Sequence, residues 1–394
     1  MQDFDVKSFL TRDWQRQPKL FRGIWPNFED PIQPELLAGL AMEEGVDARV
    51  IQHLRSKDAK AAWQVEHGPF TDYEAYGETD WTLLVQSVNE WWPQVQALLQ
   101  PFRFLPDWRV DDVMVSFAVP GGSVGPHLDQ YDVFIIQGEG ERHWQVGARK
   151  PLQQHRPHPD LQQLAESFEP VIDAVLHAGD MLYIPAGCPH HGEALTPSLN
   201  YSIGFRAPTQ VDLQASVTDM LLDQDVSGPR YQDPMLSDGD AQGYGDSWRV
   251  DAKQRENLKS FLQQSLNSTD FDTALLRVLS QSKRPLPQPE LELTAAQIQV
   301  METQDVWLCR TPGARLLVTE TNNAFVNGEQ LEGAAQNPAL VATLAQSYDD
   351  IPAGSLDLAQ ADNAEIVAQL INQGAWYFSV EDLSAEDEAE ADEE

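Results

Sequence analysis

Between Asp111 and Ala207 the chain breaks into short runs, VMVSFAVP, YDVFIIQ, RHWQVG, DAVLHAGD, MLYIPAG and LNYSIGFRAP, separated by Gly- and Pro-rich turns. Runs of this length, dense in β-branched and aromatic residues, read as strands, and their close spacing predicts a sandwich or barrel and not a βαβ sheet. Residues 1 to about 100 read mostly as helix, most clearly Val6 to Trp14 and Thr82 to Leu99, with a strand at Ala61 to Pro69. After Pro208 come helical stretches at Gln210 to Leu222, Lys253 to Leu266 and Phe271 to Ser282, interrupted by the loop YQDPMLSDGDAQGYGD. These have too little apolar surface for a core of their own, so they are expected to pack on a neighbour or a second subunit. The Pro-rich SKRPLPQPE then marks a linker. Beyond it a helix, a hairpin (VWLCR, turn at TPGA, RLLVTE), a strand at NAFVNG, two helices and a last strand at WYFSV suggest a winged-helix-like domain.

At 394 residues the chain exceeds what one core usually serves, so two or three domains are expected. No apolar run approaches the twenty residues of a membrane span, and MQDFDVKSFLTRDW lacks the pattern of an export signal. Cys188 and Cys309 fall in different expected domains, which argues against a disulfide framework and fits a cytoplasmic location. The formal net charge is -36, and the last fourteen residues hold only nine of the 62 acids, so the acidity is general. Such a surface repels phosphate backbones and attracts basic polypeptides, which disfavours nucleic acid as a direct partner. From Pro285 onward the only bases are Arg310 and Arg315, so the wing is not expected to read DNA.

The segment GPHLDQYDVFII places His127 and Asp129 two residues apart at the mouth of an apolar strand. Residues i and i+2 share a face, so both would point with Tyr131, Val133 and Ile135 toward one spot. Two histidines and a carboxylate hold a non-haem iron while leaving positions open for a bidentate cosubstrate and oxygen. The third ligand must come from among His143, His155, His158, His177, His190 and His191. The rigid loop IPAGCPHHG favours His190, although spacing does not separate it from His191. If GEGE closes a hairpin between YDVFIIQ and RHWQVG, Arg142 shares the face of His127 and Asp129, where its fork suits the far carboxylate of a dicarboxylic oxo acid. A one-residue slip would bring in His143 instead.

The residues PGGSVGPHLDQYDVFIIQGEGERHWQVG, GDMLYIPAGCPHHGEAL and LNYSIGFRAP, with FLTRDWQRQPKLFRG near the start, resemble the bacterial ribosomal oxygenases of the JmjC/cupin type, specifically the ribosomal protein arginine 3-hydroxylases of the YcfD/RoxA family. The resemblance is close over residues 1 to about 208, fair through the helical region and weak in sequence beyond Pro285. It implies a mainly β catalytic core, a double-stranded β-helix with helical N-terminal elements, then a helical dimerisation region and a C-terminal winged-helix domain. The expected boundaries are 1–208, 209–284 and 285–380, followed by an acidic tail at 381–394. It further implies Fe(II) on His127, Asp129 and His190, and 2-oxoglutarate on Arg142 assisted by Asn200, with O2 as second cosubstrate. The implied substrate is an arginine of basic ribosomal protein sixteen of the large subunit, acted on by a homodimer. Related readings are a ribosomal protein histidine hydroxylase or a non-catalytic metal-binding cupin. Ala118 stands where relatives can carry a serine, which would remove one polar contact, His191 replaces a more usual acidic neighbour, and Glu139 and Glu141 make the GEGE tip unusually acidic. Tyr131 and Asp132 are further candidates for shaping the arginine pocket, Asp132 against strict alternation.

Overall fold

The computed structural model describes residues 1–54, 62–233, 248–346 and 348–380; the acidic tail and most of the loop YQDPMLSDGDAQGYGD lie outside the described residues. Through residue 205 run the strands β1 (Lys19–Phe21), β2 (Ala48–Leu54), β3 (Ala62–His67), β4 (Trp81–Val85), β5 (Val110–Ala118), β6 (Asp132–Gln137), β7 (Arg142–Gly147), β8 (Gln154–His158), β9 (Leu161–Leu164), β10 (Pro170–Leu176), β11 (Met181–Ile184), β12 (His190–Ala194) and β13 (Ser198–Phe205). One sheet has the order β1-β11-β6-β13-β5-β4-β2-β3 and a second the order β10-β7-β12. Strands of the catalytic half alternate between the two sheets, which is the double-stranded β-helix.

The sequence DVFIIQ shows how the layers are built, since all six residues of β6 are buried. Val133 and Ile135 face inward and pack with Trp144, Val146, Leu182 and Ile184 between the sheets. Phe134 and Ile136 alternate outward, into a core shared with Phe9, Phe102 and Tyr183. Phe134 meets Tyr183 with ring centroids 4.8 Å apart, and Phe102 at 4.9 Å. The helix Val6–Arg12, capped by the Asp5 carboxylate on the Ser8 amide, supplies Phe9 to this layer. An aromatic N-terminal segment thus covers the outer face of the large sheet, which leaves the inner face to the site.

Four sequence expectations are corrected. Residues 1 to about 100 are not mostly helix, since they carry β1 to β4 beside the short helices Val6–Arg12, Pro34–Leu40 and Pro93–Ala97. The strands β6 and β7 do not form a hairpin: β6 pairs with β11 and β13, and β7 with β10 and β12. Residues 138–141 cross from one sheet to the other. Thr82 to Leu99 is not one helix, because WTLLV is strand β4, buried at all five positions, and the helix Pro93–Ala97 starts only at its proline. In the wing, Trp307–Arg310 pairs with Ile351–Pro352 and Trp376–Ser379, whereas Leu316–Val318 pairs with Ala324–Val326, so these runs also belong to different sheets.

The helices Gln210–Asp223, Ala252–Ser265 and Thr269–Ser280 follow the barrel. Thr209 and Asp251 close capping boxes at the first two. The third packs on the wing, where Arg277 bonds Glu329 at 2.6 Å and the Gly328 carbonyl at 3.1 Å. The linker is pinned to the barrel by Lys283 against Asp111 and Asp112 and by Arg284 against Glu90. It is pressed equally on the wing: a Cβ on Gly374, which has φ +70°, would lie 1.8 Å from the Pro287 carbonyl oxygen.

Candidate active site

The inner faces of β2, β4, β5, β6, β7, β12 and β13 enclose a pocket of about 390 Å³. At one end the ligand atoms of His127, Asp129 and His190 all lie within 4.8 Å of one another. The Asp129 Oδ2 is 3.8 Å from His127 Nε2 and 3.5 Å from His190 Nε2. Main chain sets this geometry. His127 and His190 exchange two backbone hydrogen bonds, of 3.0 and 2.8 Å, and the Gly187 amide donates to the Asp129 carbonyl at 2.6 Å. Gly125, at φ +78°, turns the chain so that its carbonyl faces His127 Nδ1 at 3.0 Å, and the Cys188 carbonyl faces His190 Nδ1 at 3.1 Å. An Nδ1–H donated to each carbonyl leaves both Nε2 lone pairs aimed at the shared point. Burial, reinforced by His127, pushes the His190 imidazole down to about 4, so it is a neutral donor at neutral pH.

The adjacent-histidine ambiguity is resolved by alternation along β12. His190 is 3% exposed and in the cluster, while His191 pairs with Gln145 and is absent from the pocket wall. The other candidates are engaged elsewhere: His143 with Asp173, His177 with Glu141 and His158 with Asp160, and His155 is exposed on β8.

Arg142 faces the pocket as expected, but through the opposing sheet. Its Nε donates to Ser198 Oγ, Nη1 to Ser116 Oγ, and Nη2 to the Ser116 and Ser198 carbonyls, each at 2.9 Å. Four of five N–H groups are used and none meets an acid. Burial lowers the guanidinium to about 9, which leaves it charged at neutral pH. A buried cation with a spare donor and no acidic partner among the described residues is a candidate site for an anion. Along β7, Val146 stands opposite His190 and Arg142 opposite Ala194, four residues or roughly 13 Å apart.

Asn200 lies between Ser116 and Gln137 and lines the same pocket. Its Nδ2 donates to Gln137 Oε1 at 2.8 Å, which leaves Oδ1 buried without a partner, so it offers the pocket an acceptor and suits a donor better than a carboxylate. Ala118 is buried opposite Ser198 and is not part of the pocket wall, while Ser116 on the same strand holds Arg142. Tyr131 stands at the mouth. Asp132 does not. It is fully buried on the outer face, where it accepts from Tyr183, Gln15, Arg109 and the Ala186 amide and so anchors the loop leading to His190. Sequence reasoning missed Ser116, Ser198 and Arg49; only the in-facing register of the first two could have signalled them.

Two imidazoles and a carboxylate suit a divalent iron, and Arg142, with no acidic partner among the described residues, suits a dicarboxylate cosubstrate. Residues 97–213 match the JmjC domain family and residues 256–377 the ROXA-like winged helix. Ribosomal protein uL16 3-hydroxylase of Escherichia coli strain K12 is 42% identical over 380 residues, covering 94% of this chain and 97% of that protein. The crystal structure of E. coli YcfD superposes with a TM-score of 0.86 at 40% identity, over 96% of this chain and 99% of that one. Its complex with cobalt and 2-oxoglutarate gives 0.83 at 38% identity, over 96% and 99%. The chain therefore belongs to the YcfD/RoxA family of JmjC ribosomal oxygenases.

Proposed function

We propose that this protein is an Fe(II)- and 2-oxoglutarate-dependent hydroxylase of ribosomal protein uL16, acting on C3 of an arginine. The observation that carries the reading is the pairing, in one pocket, of a His-Asp-His cluster with a buried arginine that has no acidic partner among the described residues. His127, Asp129 and His190 would hold the metal. Arg142 would bind the far carboxylate of the cosubstrate with its spare N–H. Iron, 2-oxoglutarate and O2, when bound, would supply the oxidising chemistry: one atom of O2 would enter the substrate C–H as hydroxyl and the other would go to the succinate formed as the oxo acid loses carbon dioxide.

The chain's part is placement. Backbone bonds between His127 and His190 hold the cluster open before anything binds. Val133, Ile135 and Trp144 form apolar walls that limit water around it. Asp129 faces two imidazoles, and Tyr131 and Gln130 rim the entry through which a substrate side chain would reach.

The same reading covers quaternary state and location. Val211, Leu222, Leu258 and Leu262 of the first two helices after the barrel are exposed, which supports a homodimer built on this region. Among the described residues no helix is long and apolar enough to cross a membrane, and a basic ribosomal substrate is met in the cytoplasm.

Purified uL16 incubated with the enzyme, Fe(II), 2-oxoglutarate and air should gain one oxygen on an arginine by peptide mass mapping. Asp129→Ala enzyme should give none. No gain in a preparation that binds iron and 2-oxoglutarate would move the target elsewhere.

A further inference from the structure

The catalytic pocket continues past its mouth. Arg49, Gln86 and Asp160 line it and also line a polar groove whose far end is Lys283 and Arg284. Arg284 in turn borders a cavity of about 800 Å³ between barrel, linker and wing, walled by Trp91, Leu286, Pro287, Pro312, Ile371 and Trp376. One stretch of chain runs beside all three, since Arg49 lines the catalytic pocket, Asp47 the groove and Gly45 the apolar cavity. Four residues span at most about 14 Å, so the cavity lies within about four residues of extended polypeptide from the mouth.

We propose that this continuous track is a second substrate-recognition site: the polypeptide flanking the target residue lies along the groove and seats an apolar side chain in the cavity under Trp91. This rests on the reading of the enzyme as a hydroxylase of uL16. The groove suits a main chain. The Arg49 guanidinium makes no hydrogen bond or ion pair with the described residues, with Nε buried and unpartnered, and lies at the junction of mouth and groove, where peptide carbonyls would pass. It does not repel a basic chain either, because Lys283 is paired with Asp111 and Asp112 and Arg284 with Glu90, while Asp47 and Asp160 face solvent. Arg284, 3.4 Å from the Gly45 carbonyl and lying over the Trp91 ring at 5.8 Å, forms the threshold. Beyond it the wall is tryptophan, proline and aliphatic, and Trp91 is 40% exposed, the composition that binds an apolar anchor.

The test compares full-length uL16 with a peptide cut three residues either side of the target arginine, in wild type, Trp91→Ala and Trp91→Phe. Trp91→Ala should raise KM for uL16 about tenfold with kcat unchanged, leave the short peptide's kinetics at the wild-type level, and be largely rescued by Trp91→Phe. Replacing an apolar uL16 residue about four positions from the target should reproduce the loss in wild type and add nothing in Trp91→Ala. If wild type modifies uL16 and Trp91→Ala changes neither substrate, or both equally, the track is overturned and the hydroxylase reading stands. If wild type leaves uL16 unmodified, the hydroxylase reading falls and the track falls with it.

Discussion

Arg142 is held by two serine hydroxyls and two carbonyls, a cradle that fixes the plane of its fork and leaves a single N–H without a partner among the described residues. Arg142→Lys keeps the charge but not the fork, so a charge-assisted contact of about 1.5–3 kcal/mol is weakened. KM for 2-oxoglutarate should rise roughly ten- to a hundredfold, while iron binding, measured by titration, changes little. His127, Asp129 and Arg142 were legible in the sequence because an imidazole, a carboxylate and a guanidinium on an inward face each demand a partner. Ser116 and Ser198 were not, since a serine is cheap in any strand and only the arginine between them gives it a task. The choice of His190 over His191 needed the register of β12, and the position of Asp132 was correctly suggested by alternation, against the idea that it shapes the arginine pocket.

The apolar strands between Asp111 and Ala207 were legible as strands and their partners were not, while Ala48–Leu54, in a stretch read mostly as helix, and the polar Gln154–His158 and His190–Ala194 were not recognised as strands at all. Period-two patterning says which face a residue takes, and it placed Val133, Ile135 and Arg142 inward regardless of which strand lies alongside. It carries no information on whether the next strand is a hairpin partner or a member of the opposite sheet, which is why the GEGE segment and the TPGA turn in the wing were both misread. The segment Thr82 to Leu99 failed for a different reason: WTLLV is buried on both faces, and a continuous apolar run fits helix and strand equally. Helix Ala252–Ser265 was legible and carries its own prediction. Leu258 and Leu262 are one turn apart, exposed at 43% and 66%, on a helix none of whose residues is buried. The wild type should sediment as a dimer and Leu258→Asp/Leu262→Asp as a folded monomer with unchanged far-ultraviolet circular dichroism.

The chain as a whole carries a formal charge of -36, and its mapped uL16-modifying relative spans it nearly end to end. A field of that sign speeds encounter with a basic substrate and is screened by salt, whereas a buried contact such as that of Arg142 is not. Raising ionic strength from about 0.05 to 0.5 M should therefore lower kcat/KM for uL16 about tenfold and leave KM for 2-oxoglutarate nearly constant, as read from initial rates. The layered architecture was legible in outline because domain-sized changes in texture survive local misreading; the contacts that fasten linker to barrel and wing were not, as they join residues such as Glu90 and Arg284 that lie far apart in sequence. The reciprocal bond between the His127 and His190 main chains has an evolutionary corollary. Either side chain can be exchanged without disturbing the hydrogen bonds that shape the site, so a lineage can lose the chemistry in one substitution and keep the folded barrel and its binding surfaces. Catalytically silent descendants of such a protein would be expected to differ from active ones at a single position and to be indistinguishable from them in outline.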